Sequence, residues 1–323
     1  MDITRLRTLR ELAQRGTMSA VAETLFLTPS AVSQQIAQLE EEAGVQLIER
    51  QGRGVRLTPA GTLLVSHADR LFTVLGEARS DMAALRKEVS GSLTIAVFPT
   101  AGTSLLPAAI HQVQEQHPYL QVVVQEMEPA EGLAALHSHR CDLAFVDDLT
   151  IGHSAKKGAL EMVPLIDDTL FALLPDTHPL ADKGALSVGD LREERWALDS
   201  AGSSFAEYVK SLCRRAGYEP DVNANCRGYE ILAAMVAEGC SVSIVAGLRL
   251  RYPTPGVVAV PLSPEVKRRI SAAYRSGEGA HPAIRAFLAA LNHSVQRHQT
   301  CLSDATSNTA RGESRHGSTR QRS

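Results

Sequence analysis

Thr28-Pro29-Ser30-Ala31-Val32-Ser33-Gln34-Gln35-Ile36-Ala37-Gln38-Leu39 is the stretch that decides the fold of the N-terminal part of this chain. Thr28 is an N-cap residue, and Pro29 suits the first helical turn because its missing N–H has no helical partner there. Val32, Ile36 and Leu39 recur at steps of four and three, so one side of the helix is apolar. The other side shows Ser30, Ser33, Gln34 and Gln38. A shorter helix precedes it through Val21, Ala22 and Leu25, capped by Thr17 or Ser19. A first helix starts after Asp2, turns Leu6, Leu9 and Leu12 inward and stops at Gly16. Two helices joined by a short turn, the second opening on small polar residues, are the helix-turn-helix arrangement.

The chemistry follows from the residue types. Small side chains at a helix start allow close approach to a major groove. Gln34 donates and accepts at once, which matches an adenine edge. Free amides and serine hydroxyls at that start can hold phosphate oxygens. After Gly44, Leu47-Ile48-Glu49-Arg50 and Val55-Arg56-Leu57 flank a glycine-rich segment, which predicts two short strands around a wing. Arg53 sits at its tip, in reach of a minor groove or a phosphate. The formal net charge of −3 does not advertise nucleic acid, and residues 1–60 hold as many acidic as basic residues. The DNA argument therefore rests on where the arginines lie, not on their total. The same pattern would also build a plain three-helix bundle with a polar surface.

The wider set of residues is more specific. Ala22-Glu23, Leu25, Thr28 to Ser33, Ile36, Leu39-Glu40, Gly44-Val45, Leu47-Ile48, Arg50 and Arg56-Leu57-Thr58-Pro59-Ala60-Gly61 resemble the N-terminal signature of LysR-type transcription regulators. Ile48 departs from it, since the family usually has Phe there, a core exchange. The resemblance implies double-stranded DNA as partner, with Pro29, Ser30, Ser33 and Gln34 facing bases and phosphates. Thr28, Gln38 and Arg53 complete the implied DNA-binding set.

Thr58-Pro59 caps a further helix, in which Leu64, Ala68, Leu71, Leu75, Ala78, Met82 and Leu85 form a heptad seam. Helical as far as Glu88, it would span roughly 45 Å. A lone helix of that length is marginal, so its seam must be covered. Packing on the chain's own C-terminal part would do so. The resemblance implies instead an antiparallel pairing with a second subunit, self-association running through Leu64, Leu71, Leu75, Met82 and Leu85. Two heads held apart then suit two half-sites.

Ser90-Gly91-Ser92 is a break, after which short apolar runs alternate with helical patterns, the sign of βα units. Strands are expected at 93–98, 121–126, 142–146, 170–174, 196–198, 222–226, 242–246 and 257–260. The first runs into Pro99-Thr100-Ala101-Gly102-Thr103-Ser104, whose amides and hydroxyls can bind a polar group or simply cap a helix. Asp199-Ser200-Ala201-Gly202-Ser203 is a second such turn. The order of elements is similar to the LysR effector domain, itself like periplasmic solute-binding proteins: two α/β lobes with a ligand between them. Gly239-Cys240-Ser241-Val242 departs from the family's glycine-rich form. By resemblance the effector site comprises Thr100, Ala101, Gly102, Thr103, Glu128, Ser200, Gly202, Ser203, Arg227 and Gly228. Arg227 could pair with a ligand carboxylate or serve as a structural ion-pair residue, and Glu128 favours an amine, so the effector's charge stays open.

The expected architecture is therefore multidomain α/β. A mainly α winged helix-turn-helix covers 1–58 and a long dimerisation helix 59–89. A two-lobed α/β effector domain of periplasmic-binding-protein type covers 93–300, with lobe one at about 93–165 and 267–300 and lobe two at about 166–266. Residues 301–323, polar and poor in large apolar side chains, read as a disordered tail. No catalytic set is expected: Gly-x-Ser-x-Gly, His-Glu-x-x-His and phosphate-loop patterns are absent. His137 and His139 flank one residue and do not share a helix face, so they read as exposed helix-end residues rather than metal ligands. Asp147-Asp148 and Asp167-Asp168 read as solvated turn acids. Cys141, Cys213, Cys226, Cys240 and Cys301 lack metal-ligand spacing and suit free thiols. No cofactor is expected. Met1 to Arg10 has no apolar signal core and no stretch is long enough to span a membrane, so a cytoplasmic protein is expected. A regulator of the same build without a ligand, or a solute-binding protein or enzyme with a helix-turn-helix appendage, are the alternatives.

Overall fold

The computed structural model describes residues 1–51, 54–85, 89–151, 160–199 and 203–296. The head opens with α1 (Ile3–Arg15), whose N-cap Asp2 accepts the amides of Thr4 and Arg5 at 2.7 and 3.4 Å. Helices α2 (Met18–Leu25) and α3 (Pro29–Ala43) follow, capped by the hydroxyls of Thr17 and Thr28. Leu6, Leu9, Leu12, Val21, Val32, Ile36 and Leu39 close one core between the three. Strands β1 (Ile48–Gln51) and β2 (Gly54–Leu57) form the antiparallel wing. Its entry is fixed by Glu40, whose carboxylate accepts the amides of Leu47 and Ile48 at 2.7 and 3.2 Å. Arg53 lies outside the described residues.

Helix α4 (Pro59–Ala84) starts on the Thr58 cap. It crosses the wing so closely that a Cβ on Gly61 would lie 2.0 Å from the Leu47 carbonyl oxygen. Its seam divides between two neighbours. Leu64 and Ala68 join the head core with Val65 and Phe72, and Leu75 is half-buried toward the effector domain. Further along, Ser80 donates to the Gly277 carbonyl at 3.1 Å, and Gly277, at φ +85°, leaves no room for a side chain against Thr73. Leu71, Met82 and Leu85 stay exposed, together with Leu63 and Val74. The expected self-association set is thus corrected: Leu64 and Leu75 are used within the chain, because the apolar stripe is wider than one seam and its own chain covers one edge.

The effector domain begins with β3 (Gly91–Val97), α5 (Pro99–Gln116), β4 (Leu120–Glu126), α6 (Pro129–His137), β5 (Leu143–Asp147) and the single turn α7 (Asp148–Ile151). The long β6 (Leu160–Pro175) leads into β7 (Arg195–Asp199), α8 (Ser204–Arg215), β8 (Asp221–Cys226), α9 (Tyr229–Ala237), β9 (Ser243–Ala246) and β10 (Val257–Pro261). Strand β11 (Lys267–Arg275) returns, and a helix over 282–296 follows. Strand β3 lies between β4 and β5, parallel to both. Strand β11 pairs antiparallel with β5 and with the first part of β6, whose second part pairs with β9 and β10. Two lobes result, joined by β6 and β11. One core gathers Ile95, Leu105, Phe145, Ile270 and Phe287; another gathers Leu170, Trp196, Val209, Ile244 and Val260. Strand β6 starts well before the expected 170–174, and no strand was expected at β11. Both segments carry charges that interrupt the apolar run, and several of those charges are paired across the two strands.

Candidate functional site

On α3, Thr28, Pro29, Ser30, Ser33 and Gln34 are exposed and Gln38 is half-buried. The apolar residues on the opposite side fix the helix rotation, so these side chains form one continuous outward face. The Thr28 hydroxyl is committed to the cap, accepting the Ala31 amide at 3.1 Å. Gln35 turns inward, where Thr8 donates to its amide oxygen at 2.5 Å. On the wing Arg56 is drawn to Glu49, Nε to carboxylate at 2.8 Å, while Arg50 is exposed.

Between the lobes lies a cavity of about 290 Å³. Thr100 and Thr103, one turn apart on α5, line it with Glu128, Ser203, Arg227 and Gly228. Ala101 and Gly102 do not reach it: Ala101 is buried in the lobe-one core, and Gly102 faces Val97. Helix geometry explains this correction, since residues three apart share a face and the two between them turn away. Ser104 also turns away, donating to the Leu248 carbonyl at 2.8 Å and so tying α5 to the second lobe. The Ser203 hydroxyl caps α8 through the Ala206 amide at 3.0 Å. Ser200 and Gly202 lie outside the described residues.

The base of the cavity is Arg268, which the sequence reading did not single out. It holds Asp168 through two hydrogen bonds, at 3.0 and 2.8 Å, and donates to the Thr100 hydroxyl at 2.8 Å. The rings of Phe98 and Phe205 lie 5.1 and 5.5 Å from its guanidinium. Asp168 also accepts the Leu248 amide at 2.9 Å. A charge buried this deeply is tolerated only when paired and fully hydrogen-bonded. Asp168 is thus no solvated turn acid. Nor is Asp147, which is buried and accepts the amides of Leu149 and Thr150 at 3.1 and 3.0 Å. Asp167 and Asp148 are exposed, and both bind Arg269.

Three carboxyls of the cavity are held above their ordinary range. Burial raises Glu128, and the charges of Asp199 and Asp147 add to it against the Ser204 amide. Burial raises Asp147 despite Arg268. Burial raises Asp199, Glu126 and Glu230 add to it, and Arg249 opposes. Arg249 stands over the Tyr229 ring at 4.7 Å. Asp147, Asp199, Arg249 and Arg268 line the site yet escaped sequence reasoning. Only Arg268 had a legible sign, a basic residue leading into an apolar strand.

The head also meets the effector domain. Arg10 is buried, stands over the Phe72 ring at 4.3 Å and donates to the His137 carbonyl at 3.3 Å. His137 and His139 line this seam half-buried, a correction of their expected exposure. Burial, with Arg10 beside one and Arg275 beside the other, pushes them down to about 4 and about 3.

Two family models match the chain: a bacterial regulatory helix-turn-helix protein of the lysR family over residues 3–62, and a LysR substrate binding domain over 86–296. The chain belongs to the LysR family. The regulator is 32% identical to the dual regulator OxyR of Escherichia coli K12, over 86% of this chain and 90% of that one. It is 29% identical to the dual regulator GltC of Bacillus subtilis, over 84% and 89%. A hydrogen-peroxide-bound OxyR mutant of Corynebacterium glutamicum superposes with a TM-score of 0.59 at 24% identity, covering 94% of this chain and 96% of that one. At that identity the likeness shows the fold alone. This LysR-type regulator binds DNA through its helix-turn-helix and oligomerises, and a small molecule in the C-terminal domain modulates its promoter binding. Among the described residues no helix is long and apolar enough to cross a membrane.

Proposed function

We propose that Pro29, Ser30, Ser33 and Gln34 read promoter DNA, with Thr28 and Gln38 beside them and Arg53 on the wing. The effector occupies the cavity bounded by Thr100, Thr103, Glu128, Ser203, Arg227 and Gly228, and Ser200 and Gly202, outside the described residues, belong to the same effector-binding set. Residues 1–58 act as the DNA-reading unit, 59–89 as the linker and 93–300 as the sensor. The protein works in the cytoplasm and has no catalytic activity of its own. The observation that carries this reading is the outward face of α3, small and polar along its first two turns and backed by a fixed apolar side. Only such a face brings a helix close enough for base contacts in a major groove. A ligand that prefers one arrangement of the lobes shifts the population of DNA-binding forms by its difference in affinity.

Gel-shift assays on the region upstream of its own coding sequence test the assignment. Gln34→Ala should weaken binding at particular base pairs, by about 1–3 kcal/mol at its contact, whereas Arg53→Ala weakens all sequences alike and reduces the salt slope. Equal losses across every operator variant for both would refute this division of roles. Absence of any salt-sensitive duplex binding would refute the α3 face as a whole.

A further inference from the structure

The cavity wall is unbalanced in charge. Five carboxylates line it, Glu126, Glu128, Asp147, Asp199 and Glu230, against three guanidiniums, Arg227, Arg249 and Arg268. Arg268 is already committed to Asp168, which is not part of that lining. Asp147 is likewise committed, to the cap of α7, so two arginines are left to face four acids. Arg227 is exposed, and Arg249 is placed over Tyr229. The acids also come from both lobes: Glu128 and Asp147 from the ends of β4 and β5, Asp199 and Glu230 from the end of β7 and the start of α9.

The position of Glu128 is informative. It is the N-cap residue of α6, yet its side chain makes no cap hydrogen bond. Its carboxylate turns instead to the cavity, near the Ser204 amide across the cleft and within reach of the charges of Asp147 and Asp199. An acid that only capped a helix would bond its own first-turn amides, as Asp147 does. Like charges facing each other across two lobes repel, and a cation between them reverses the sign of that interaction.

We infer that the effector is a small cation, a protonated amine or a guanidinium compound, whose positive end sits between Glu128 of one lobe and Asp199 of the other. This rests on the cavity being the effector site. The ion then closes the cleft by joining acids that otherwise repel, which links occupancy to lobe closure. Phe98, Phe205 and Tyr229, which already stand against Arg268 and Arg249, supply apolar edges in the same wall for a cation's alkyl stem.

The test is thermal unfolding and calorimetric titration of the full-length protein with lysine, arginine, putrescine and agmatine, against succinate, benzoate and inorganic phosphate. An amine should raise the melting temperature and the anions should not. Glu128→Gln and Asp199→Asn should each weaken the amine at least about tenfold, since a hydrogen bond to a charged group is lost, while Glu128→Asp keeps most of the affinity. Each variant's melting temperature without ligand reports whether it folds. No shift with any of the four amines overturns the inference. So does a shift with an anion that Arg227→Ala abolishes, although the effector site itself would then stand. A Thr103→Trp variant, whose ring fills the cavity, separates the two: if its promoter still responds to growth conditions as the wild type does, the effector reading falls as well.

Discussion

At the scale of single residues, the cavity carboxyls make stability depend on pH in an unusual direction. Glu128, Asp147 and Asp199 each titrate higher in the folded chain than an ordinary carboxyl, burial being the first cause. The native state therefore holds protons that the unfolded chain has already released. Their contribution is in place below the ordinary carboxylate range, about pH 4, and is lost as pH rises through the raised folded values. Exposed acids with partners, such as Asp190 beside Lys183 and Glu207 beside Lys210, act in the opposite sense, losing their contribution as pH falls. His137 and His139, held low in the fold, oppose the cavity acids: their contribution is lost as pH falls below the ordinary histidine value of 6.5. The double variant Glu128→Gln with Asp199→Asn removes the acids' share, so it should raise the melting temperature at neutral pH more than at acidic pH. A melting temperature raised equally at both pH values, or not raised at all, would remove the cavity acids as a source of pH dependence.

At the scale of elements, caps and close approaches fix the reading head. Asp2, Thr17, Thr28 and Thr58 each end a non-helical segment with a side-chain bond to a first-turn amide, and all four were legible because N-caps are local chemistry. What stayed hidden depended on distant partners. Three successive basic residues, Lys267-Arg268-Arg269, interrupt the apolar run at the start of β11, and Arg268 is buried only through Asp168, from a strand about a hundred positions earlier, so β11 was missed. The seam of α4 was legible as a stripe, whereas its division between head core and free face was not, since the fold of the rest of the chain sets it. For the same reason Thr100, Thr103 and Glu128 were found as residues at strand-to-helix turns, while Asp199 and Arg249 needed the second lobe in place. Gly61 joins these levels. A methyl group there would collide with the Leu47 carbonyl oxygen, backbone that cannot yield without moving the wing. Gly61→Ala should cost about 1–3 kcal/mol of head stability, read as a lower first transition on heating, and weaken DNA binding. Gly184→Ala, which meets no atom within 4 Å, is the control and should change neither. Equal melting for both variants would show that the α4–wing approach is not tight.

At the scale of the whole molecule, α4 is the member that touches both head and sensor and leaves one side uncovered. One side of it belongs to its own chain: Phe72 lies under the Arg10 guanidinium, and Ser80 holds the turn at Gly277. The opposite side presents Leu71, Val74, Met82 and Leu85, of which the last three are 61%, 63% and 76% exposed. Scattered exposed apolar residues need no explanation, but four along one side of a helix and its C-cap do. A second subunit would cover them, and a pair of heads brought together this way could occupy two half-sites at once. The second contact then costs far less entropy than the first, because the effective concentration of the tethered head is high. Val74→Glu with Met82→Glu places charge in that interface while leaving both cores intact, as neither residue contributes to them. The variant should sediment as a monomer with an unchanged circular-dichroism spectrum. Its affinity for a two-half-site operator should fall by about 10²-fold or more, toward that for a single half-site, which should itself change little. A variant that stays dimeric, or a monomer that binds the full operator as tightly as the wild type, would place the subunit contact elsewhere and leave the exposed stripe of α4 without a role in DNA binding.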